Sequence, residues 1–218
     1  EMMIKETFGP LGDPKYAEYL GDIHLSARHL LEIINEVLDM SKIEAGRVDL
    51  DEREVDIVAL VETVARIATS RIFSSDLSVK VDVRADFPRL YSDPRLLRQI
   101  LINLVTNAVK YSPNGGVITI SGEDRGKDGL DLIVSDQGMG IPEDRVKEAM
   151  EPFGQIHEPT QSTPYQGTGL GLPLAKAMVE MHGGHLNLKS KEGEGTTVSI
   201  SFPAQRVRLV ASTNSILD

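Results

Sequence analysis

Between about Lys15 and Ala45 the apolar residues Ile23, Ala27, Leu30, Ile34 and Val37 recur at alternating steps of four and three, and Leu31 and Leu38 widen the stripe. That spacing is the seam of a helical bundle or coiled coil. A single helix cannot bury such a seam against itself, so partner helices are implied, and the rest of the chain must fold around a different core. Gly46 is a natural stop for this helix. The residues before it, 7–14, hold two glycines and two prolines and form a turn. Residues 1–6 have the character of a helix already under way. The expectation is therefore an excised piece, with any membrane anchor upstream of Glu1 and the piece itself free of membrane contact.

The remainder alternates between helical and strand patterns. A segment from Val48 to Glu54 leads to a helix capped by Asp56 and running to about Arg71. Strict alternation over 77–83 predicts a half-buried strand. Asp93-Pro94 is a strong helix start, an N-cap aspartate followed by proline at the first helical position, and the helix extends to about Lys110. Strands are expected at 117–122 and 130–135, a helix near 142–150, a polar stretch over 151–169, and a helix at 170–182 stopped by Gly183-Gly184. Two last strands fit 185–190 and 196–202, and 204–218 is expected to be a tail. Strands in a run with few intervening helices give an α+β sandwich, a mixed sheet covered on one face by helices. At 218 residues and 40% hydrophobic the chain has material for one sizeable core plus a helical element. A net charge of −10 argues against nucleic-acid binding, which needs a basic face. There are no cysteines, and no apolar run approaches the roughly 20 residues of a membrane span.

Three segments carry chemistry. In the helix after Asp93, Asn103, Asn107 and Lys110 share one narrow stripe, while Leu97, Leu101, Leu104 and Ala108 gather on the core-facing arc. Carboxamide oxygens suit Mg²⁺ and an ammonium suits phosphate, although a stripe of this kind is equally an ordinary solvated face. The strand at 130–135 ends in Asp136-Gln137-Gly138-Met139-Gly140. An ionised carboxylate only accepts hydrogen bonds, so it reads the exocyclic amine of adenine and rejects guanine's oxygen. On its own, though, this is an aspartate–glycine turn. Gln166-Gly167-Thr168-Gly169-Leu170-Gly171-Leu172 runs into a helix start, where free N–H groups bind phosphate. It is neither a P-loop nor a dinucleotide fingerprint, and alone it reads as a linker.

In this order the segments resemble the boxes of histidine kinases. Asn103 to Lys110 resembles the N box, Asp136 to Gly140 the G1 box, Glu151-Pro152-Phe153-Gly154-Gln155 the F box, and Gly167 to Leu172 the G2 box. Gly195-Thr196-Thr197 is similar to the final threonine-bearing strand. The helix ending Leu38-Asp39-Met40-Ser41-Lys42-Ile43-Glu44-Ala45-Gly46 resembles the second helix of the dimerisation and phosphotransfer domain. With the Phe8-Gly9-Pro10-Leu11-Gly12 turn, it points to the PleC/DivJ group of cell-cycle kinases. The resemblance covers about 1–203 and implies a GHKL (Bergerat-type) fold preceded by a long bundle-forming helix. It divides the chain into a partial dimerisation region (1–46), a catalytic ATP-binding domain (47–203) and the tail.

The resemblance also implies roles. Asn107 would hold Mg²⁺ with Asn103 near the metal and phosphates, Lys110 would contact phosphate, and Tyr111 would lie against the nucleotide. Asp136 would bind the adenine amine in a pocket shaped by Gly138 and Gly140 with Ile141 beside them, Thr197 assisting. Gly167, Thr168, Gly169, Leu170, Gly171 and Leu172 would meet the phosphates at the end of a lid over 152–167, hinged at Gly154 and Gly167 and anchored by Phe153. ATP and Mg²⁺ are the implied ligands, and a response-regulator receiver domain and a homodimer through the helical bundle the implied partners.

A kinase of this type phosphorylates a histidine followed by an acid and, soon after, Arg-Thr-Pro or a near variant. None of His24, His29, His157, His182 and His185 has that pattern. The acceptor is expected upstream, leaving this piece a nucleotide binder that does not phosphorylate itself. Its unpartnered seam is expected to dimerise or fold back. A zinc site at His182 and His185 lacks an acidic or cysteine partner nearby in sequence. Alternatives are a nucleotide-sensing pseudokinase or another GHKL ATPase. Hsp90-type and MutL-type enzymes, however, carry a water-activating glutamate where this chain has Asn103.

Overall fold

The structure, a computed structural model, describes residues 2–7, 9–70, 72, 76–112, 115–156 and 168–209. By its internal contacts the chain divides into two compact units, Glu1–Ala45 and Gly46–Asp218. The first is dominated by α1 (Pro14–Glu44), whose N-cap Asp13 accepts the Lys15 N–H at 2.9 Å. No residue of α1 is buried, and Ile23, Leu30, Leu31 and Leu38 are each at least half exposed.

The second unit holds β1 (Arg53–Val55), α2 (Ile57–Thr69), β2 (Leu77–Asp82), β3 (Arg89–Ser92), α3 (Pro94–Lys110), β4 (Gly116–Asp124) and β5 (Leu130–Ser135). These are followed by the short α4 (Val146–Ala149), α5 (Gly171–Met181), β6 (His185–Lys191), β7 (Gly195–Phe202) and β8 (Val207–Arg208). The main sheet is mixed, in the order β2-β4-β5-β7-β6, with β2 parallel to β4 and every other pairing antiparallel. In β5 the residues alternate, with Leu130, Leu132 and Val134 buried. That period-two pattern places one face on the core. α3 lies in the middle of the helical layer, packed between α2 and α5 and against β4 and β5, with Leu97, Ile100, Leu101 and Leu104 buried. α2 meets β2 and α5 meets β6.

The sequence pattern missed the second sheet, which is three-stranded, antiparallel and ordered β1-β3-β8. Its strands are too short to show alternation. The expected tail therefore begins later than 204: Ala204–Arg206 form a 3₁₀ turn and β8 pairs with β3. Arg206 secures this turn by donating to Glu52 and to the Tyr91 carbonyl at 2.9 Å. The helix expected near 142–150 is also shorter, a 3₁₀ turn at Glu143–Arg145 running into α4.

Candidate functional site

The last rung between β5 and β7 pairs Ser135 with Thr197, and Asp136 follows at the strand end. The Asp136 carboxylate is fixed through one oxygen: Oδ1 accepts from the Gly138 N–H at 2.9 Å and the Thr196 N–H at 3.2 Å. Its second oxygen has no partner among the described residues. Burial pushes this carboxyl's pKa up, against the pull of those two backbone bonds. Thr197 turns its hydroxyl to Ser135, 2.6 Å away, and Thr196 pairs with Ser190 at 2.8 Å. Ser190 is a junction that sequence reasoning missed. It donates to the Gly195 carbonyl at 2.9 Å and accepts the Ile141 N–H at 2.8 Å, tying the end of the G1-like segment to the β6–β7 hairpin. No local motif marks it.

Gly138 is required by close approach. A Cβ there would lie 2.2 Å from the Tyr111 carbonyl oxygen, which also accepts the Met139 N–H at 3.0 Å. Gly140, at φ +65°, would drive a Cβ to 2.0 Å from the Lys191 carbonyl. The Tyr111 contacts join the Asp136 loop to the C-terminal end of α3, where Lys110 Nζ reaches the Tyr111 hydroxyl at 3.1 Å and sits 4.7 Å from the centre of its ring.

One turn back along α3, the half-buried Asn107 carboxamide makes no hydrogen bond among the described residues. It faces the start of α5, its Nδ2 lying 3.6 Å from where a Gly171 Cβ would be. Asn103 differs: it is buried, its Oδ1 accepts from Gln99 Nε2 at 2.9 Å, and its Nδ2 donates to the Gly171 carbonyl at 3.3 Å. In the structure its amide is committed to protein partners, while Asn107 is the carboxamide presented outward. Gln99 was not singled out from sequence, although it lies one turn from Asn103 and helical periodicity marks the position. Among the described residues no side chain caps α5. Thr168 Oγ1 accepts the Leu170 N–H at 3.0 Å, and helix geometry leaves the Gly171 and Leu172 N–H groups without intrahelical partners. Leu170 is itself a buried core residue.

Phe153 adopts φ +66°, a left-handed conformation uncommon for a bulky residue, with its ring 62% exposed. Its N–H donates to the Gly169 carbonyl at 3.1 Å, linking the F-like and G2-like segments. Gly154 does not sit like an open hinge, because a Cβ on it would lie 1.8 Å from the Glu148 carbonyl. Gly167 and His157, with most of the expected lid, lie outside the described residues.

At the far end of α3, a second polar cluster surrounds Asp93. The buried Asp93 carboxylate accepts from the backbone N–H groups of Asp51 (3.0 Å), Arg95 (2.9 Å) and Leu96 (3.4 Å) and from the Arg95 guanidinium. Burial raises its pKa, but these bonds outweigh burial and hold it well below the ordinary carboxylate range. His182 is fully buried there. Its Nε2 accepts the Asp93 N–H at 3.2 Å and its Nδ1 lies 2.7 Å from the Met178 carbonyl, which fixes a neutral ring with the proton on Nδ1. Among the described residues no group of three or more His, Cys, Asp or Glu gathers as a metal site. No described helix is long and apolar enough to cross a membrane.

Fold and site together define a mixed α/β sandwich in which a strand-end carboxylate loop is joined to one end of an amide-bearing helix, and that helix meets the start of α5. The chain belongs to the histidine kinase-, DNA gyrase B- and HSP90-like ATPase family, whose model matches residues 92–206, more than half of its length. Among its curated relatives, the Non-motile and phage-resistance protein of Caulobacter vibrioides is 40% identical over 208 residues, covering 94% of this chain and 24% of that protein. The Histidine protein kinase DivJ of the same bacterium is 38% identical over 214 residues, covering 98% and 35%. The chain thus spans about a quarter to a third of these relatives. A crystal structure of full-length ShkA in complex with AMPPNP shares the fold, with a TM-score of 0.79 and 24% identity over 96% of this chain and 42% of that one.

Proposed function

We propose that this chain is the ATP-binding, phosphoryl-donor portion of a sensor histidine kinase. Its task is to present the γ-phosphoryl of Mg-ATP to a histidine on another segment, for onward transfer to a response-regulator aspartate. The observation that carries this reading is Asp136. One carboxylate oxygen is pinned by two backbone N–H groups and the other has no partner among the described residues, which matches the exocyclic amine of adenine and no anionic or carbonyl edge. The loop that holds Asp136 is joined to the end of α3 that carries Lys110, and one turn back Asn107 faces the start of α5, so base and phosphates have adjoining subsites.

The donor set also fits a hard cation. Asn107 offers it an amide oxygen that has no hydrogen bond among the described residues, while the Lys110 ammonium and the Gly171 and Leu172 N–H groups suit phosphate. Bound Mg²⁺ would neutralise phosphate charge. The chain's own residues bind and orient: Asp136 selects adenine, Lys110 offsets phosphate charge, and no carboxylate stands at the Asn103 position to activate water. In this reading 1–46 belongs to a dimerisation bundle and 47–203 is the catalytic domain. The chain alone binds ATP with at most slow hydrolysis.

Isothermal titration with ATP, with and without Mg²⁺, tests the first step. Labelling from γ-phosphate-labelled ATP, in a protein extended upstream through a histidine-bearing helix, tests the second. Absence of saturable ATP binding would reject the whole reading. Binding without labelling in the extended protein would leave a nucleotide-responsive binding module in its place.

A further inference from the structure

We infer that Gln99 is a positioning residue that sets the phosphate-binding start of α5 through Asn103, an inference that rests on the nucleotide-site reading above. Three groups are in line: Gln99 Nε2 donates to Asn103 Oδ1 at 2.9 Å, and Asn103 Nδ2 donates to the Gly171 carbonyl at 3.3 Å. The direction of this relay is not arbitrary. Either amide can rotate to exchange its oxygen and nitrogen, but a backbone carbonyl only accepts. Gly171 therefore requires the Asn103 nitrogen, which turns the Asn103 oxygen toward Gln99, and that oxygen requires a donor. Glutamine at 99 supplies one. Asn103 is 7% exposed, so water gives little help if either bond is lost.

Gly171 opens α5 beside Asn107, and its carbonyl belongs to the turn whose N–H groups form the proposed phosphate subsite. Among the described residues no side chain caps that turn. The Asn103 bond is thus a side-chain tether from the middle of α3 to the start of α5, and Gln99 keeps that tether in its donating orientation. Asp136 lies on a separate set of bonds to Gly138 and Thr196. Disturbing the relay should therefore weaken binding of the phosphates and leave recognition of the base intact.

Gln99→Met keeps length and removes the donor. Gln99→Glu keeps shape but, when ionised, can only accept, which pulls the Asn103 nitrogen away from Gly171. Affinities for ATP, ADP and adenosine are measured by titration calorimetry on the 218-residue chain. Backbone hydrogen exchange is followed without nucleotide, and circular dichroism confirms folding. The expected result is an about five- to tenfold loss for ATP and ADP, the scale of one ordinary hydrogen bond, with adenosine affinity within twofold of the parent. Exchange should quicken over 170–175 and not along α3, and Gln99→Glu should exceed Gln99→Met in both effects. Equal losses for all three ligands, or unchanged exchange at 170–175 in folded variants, would overturn the inference. Should the parent chain itself not bind ATP, the nucleotide reading fails, while the exchange result still judges the relay.

Discussion

Replacing Asp136 by asparagine separates recognition from folding more cleanly than any other change in this site. Both backbone bonds to Oδ1 survive, because an asparagine oxygen accepts from Gly138 and Thr196 as the aspartate does. Only the outward oxygen changes, from an acceptor to an NH₂ donor. In the ligand-free protein this removes a charge that burial disfavours. The carboxyl pKa is higher folded than unfolded, so the group's contribution to stability is full below the unfolded value of about 4 and is lost as pH rises through the folded value. At neutral pH the asparagine variant is therefore expected to be as stable as the parent or more so. Binding goes the other way. An adenine amine meeting a second donor loses a charged hydrogen bond, about 2–3 kcal/mol, and leaves a donor unpaired, about 1–2 kcal/mol. The resulting loss of about 3–5 kcal/mol weakens affinity by at least about 100-fold. Thermal unfolding shows the contrast directly. ATP at 100 times the parent Kd adds about 2.7 kcal/mol to the parent but only about 0.4 kcal/mol to a variant binding 100-fold more weakly. For a domain of this size that is roughly 5–11 °C against 1–2 °C. GTP should lose less than ATP or gain, since guanine offers an oxygen at the matching edge. A variant that keeps the parent's ATP-dependent shift, or one whose ligand-free melting point collapses, would refute the assignment of Asp136 to the base.

Asn107→Ala is expected to weaken ATP binding about tenfold or more when Mg²⁺ is present and little in EDTA, since it removes the uncommitted amide oxygen; calorimetry at two Mg²⁺ concentrations reads this difference. Phe153→Gly relieves the left-handed backbone, which costs about 1 kcal/mol for a side chain, and removes only an exposed ring, so urea melts should show unchanged or slightly raised stability. His182 is held neutral by burial, with its pKa below the ordinary histidine value. Its contribution to stability is full above about pH 6.5 and falls as pH drops through the folded value, because charging the ring breaks its bond from the Asp93 N–H. His182→Gln should flatten the decline that sets in below about pH 6.5 in urea melts, leaving the loss below about pH 4 as Asp93 protonates. An unchanged slope would remove His182 from the account.

What could be read from the chain depended on whether a role was local. The α3 start was legible because Asp93-Pro94 combines a cap with a fixed φ, and the structure places the helix at Pro94–Lys110. The glycines of the Asp136 loop were legible as a pattern, yet their reason was not. Gly138 is there because the Tyr111 carbonyl occupies the space of a Cβ, a contact between segments 27 residues apart in sequence. Strands of two to four residues left no period to detect, so β3 and β8 were missed together with the second sheet. Asn103 and Asn107 share a stripe and could not be told apart there. They differ because Gly171, 68 residues from Asn103, occupies one amide and not the other.

The same limit explains His182 and clarifies how the site is supported. From sequence it stood beside two glycines without an acidic partner. The structure gives it Asp93, but through the backbone N–H, a valence that no side-chain pattern reveals. That bond fastens the end of α5 to the start of α3, while the Asn103–Gly171 bond fastens the start of α5 to the middle of α3. α5 is therefore tethered to α3 at both its ends by side-chain-to-backbone bonds, with Leu174, Ala175, Met178 and Val179 buried between them. Apolar packing alone tolerates sliding of one helix along another, because dispersion and burial have little direction. Two directional bonds near the ends of an 11-residue helix fix its register. Register is what a phosphate site made of backbone N–H groups needs, since such groups cannot adjust by rotating a side chain.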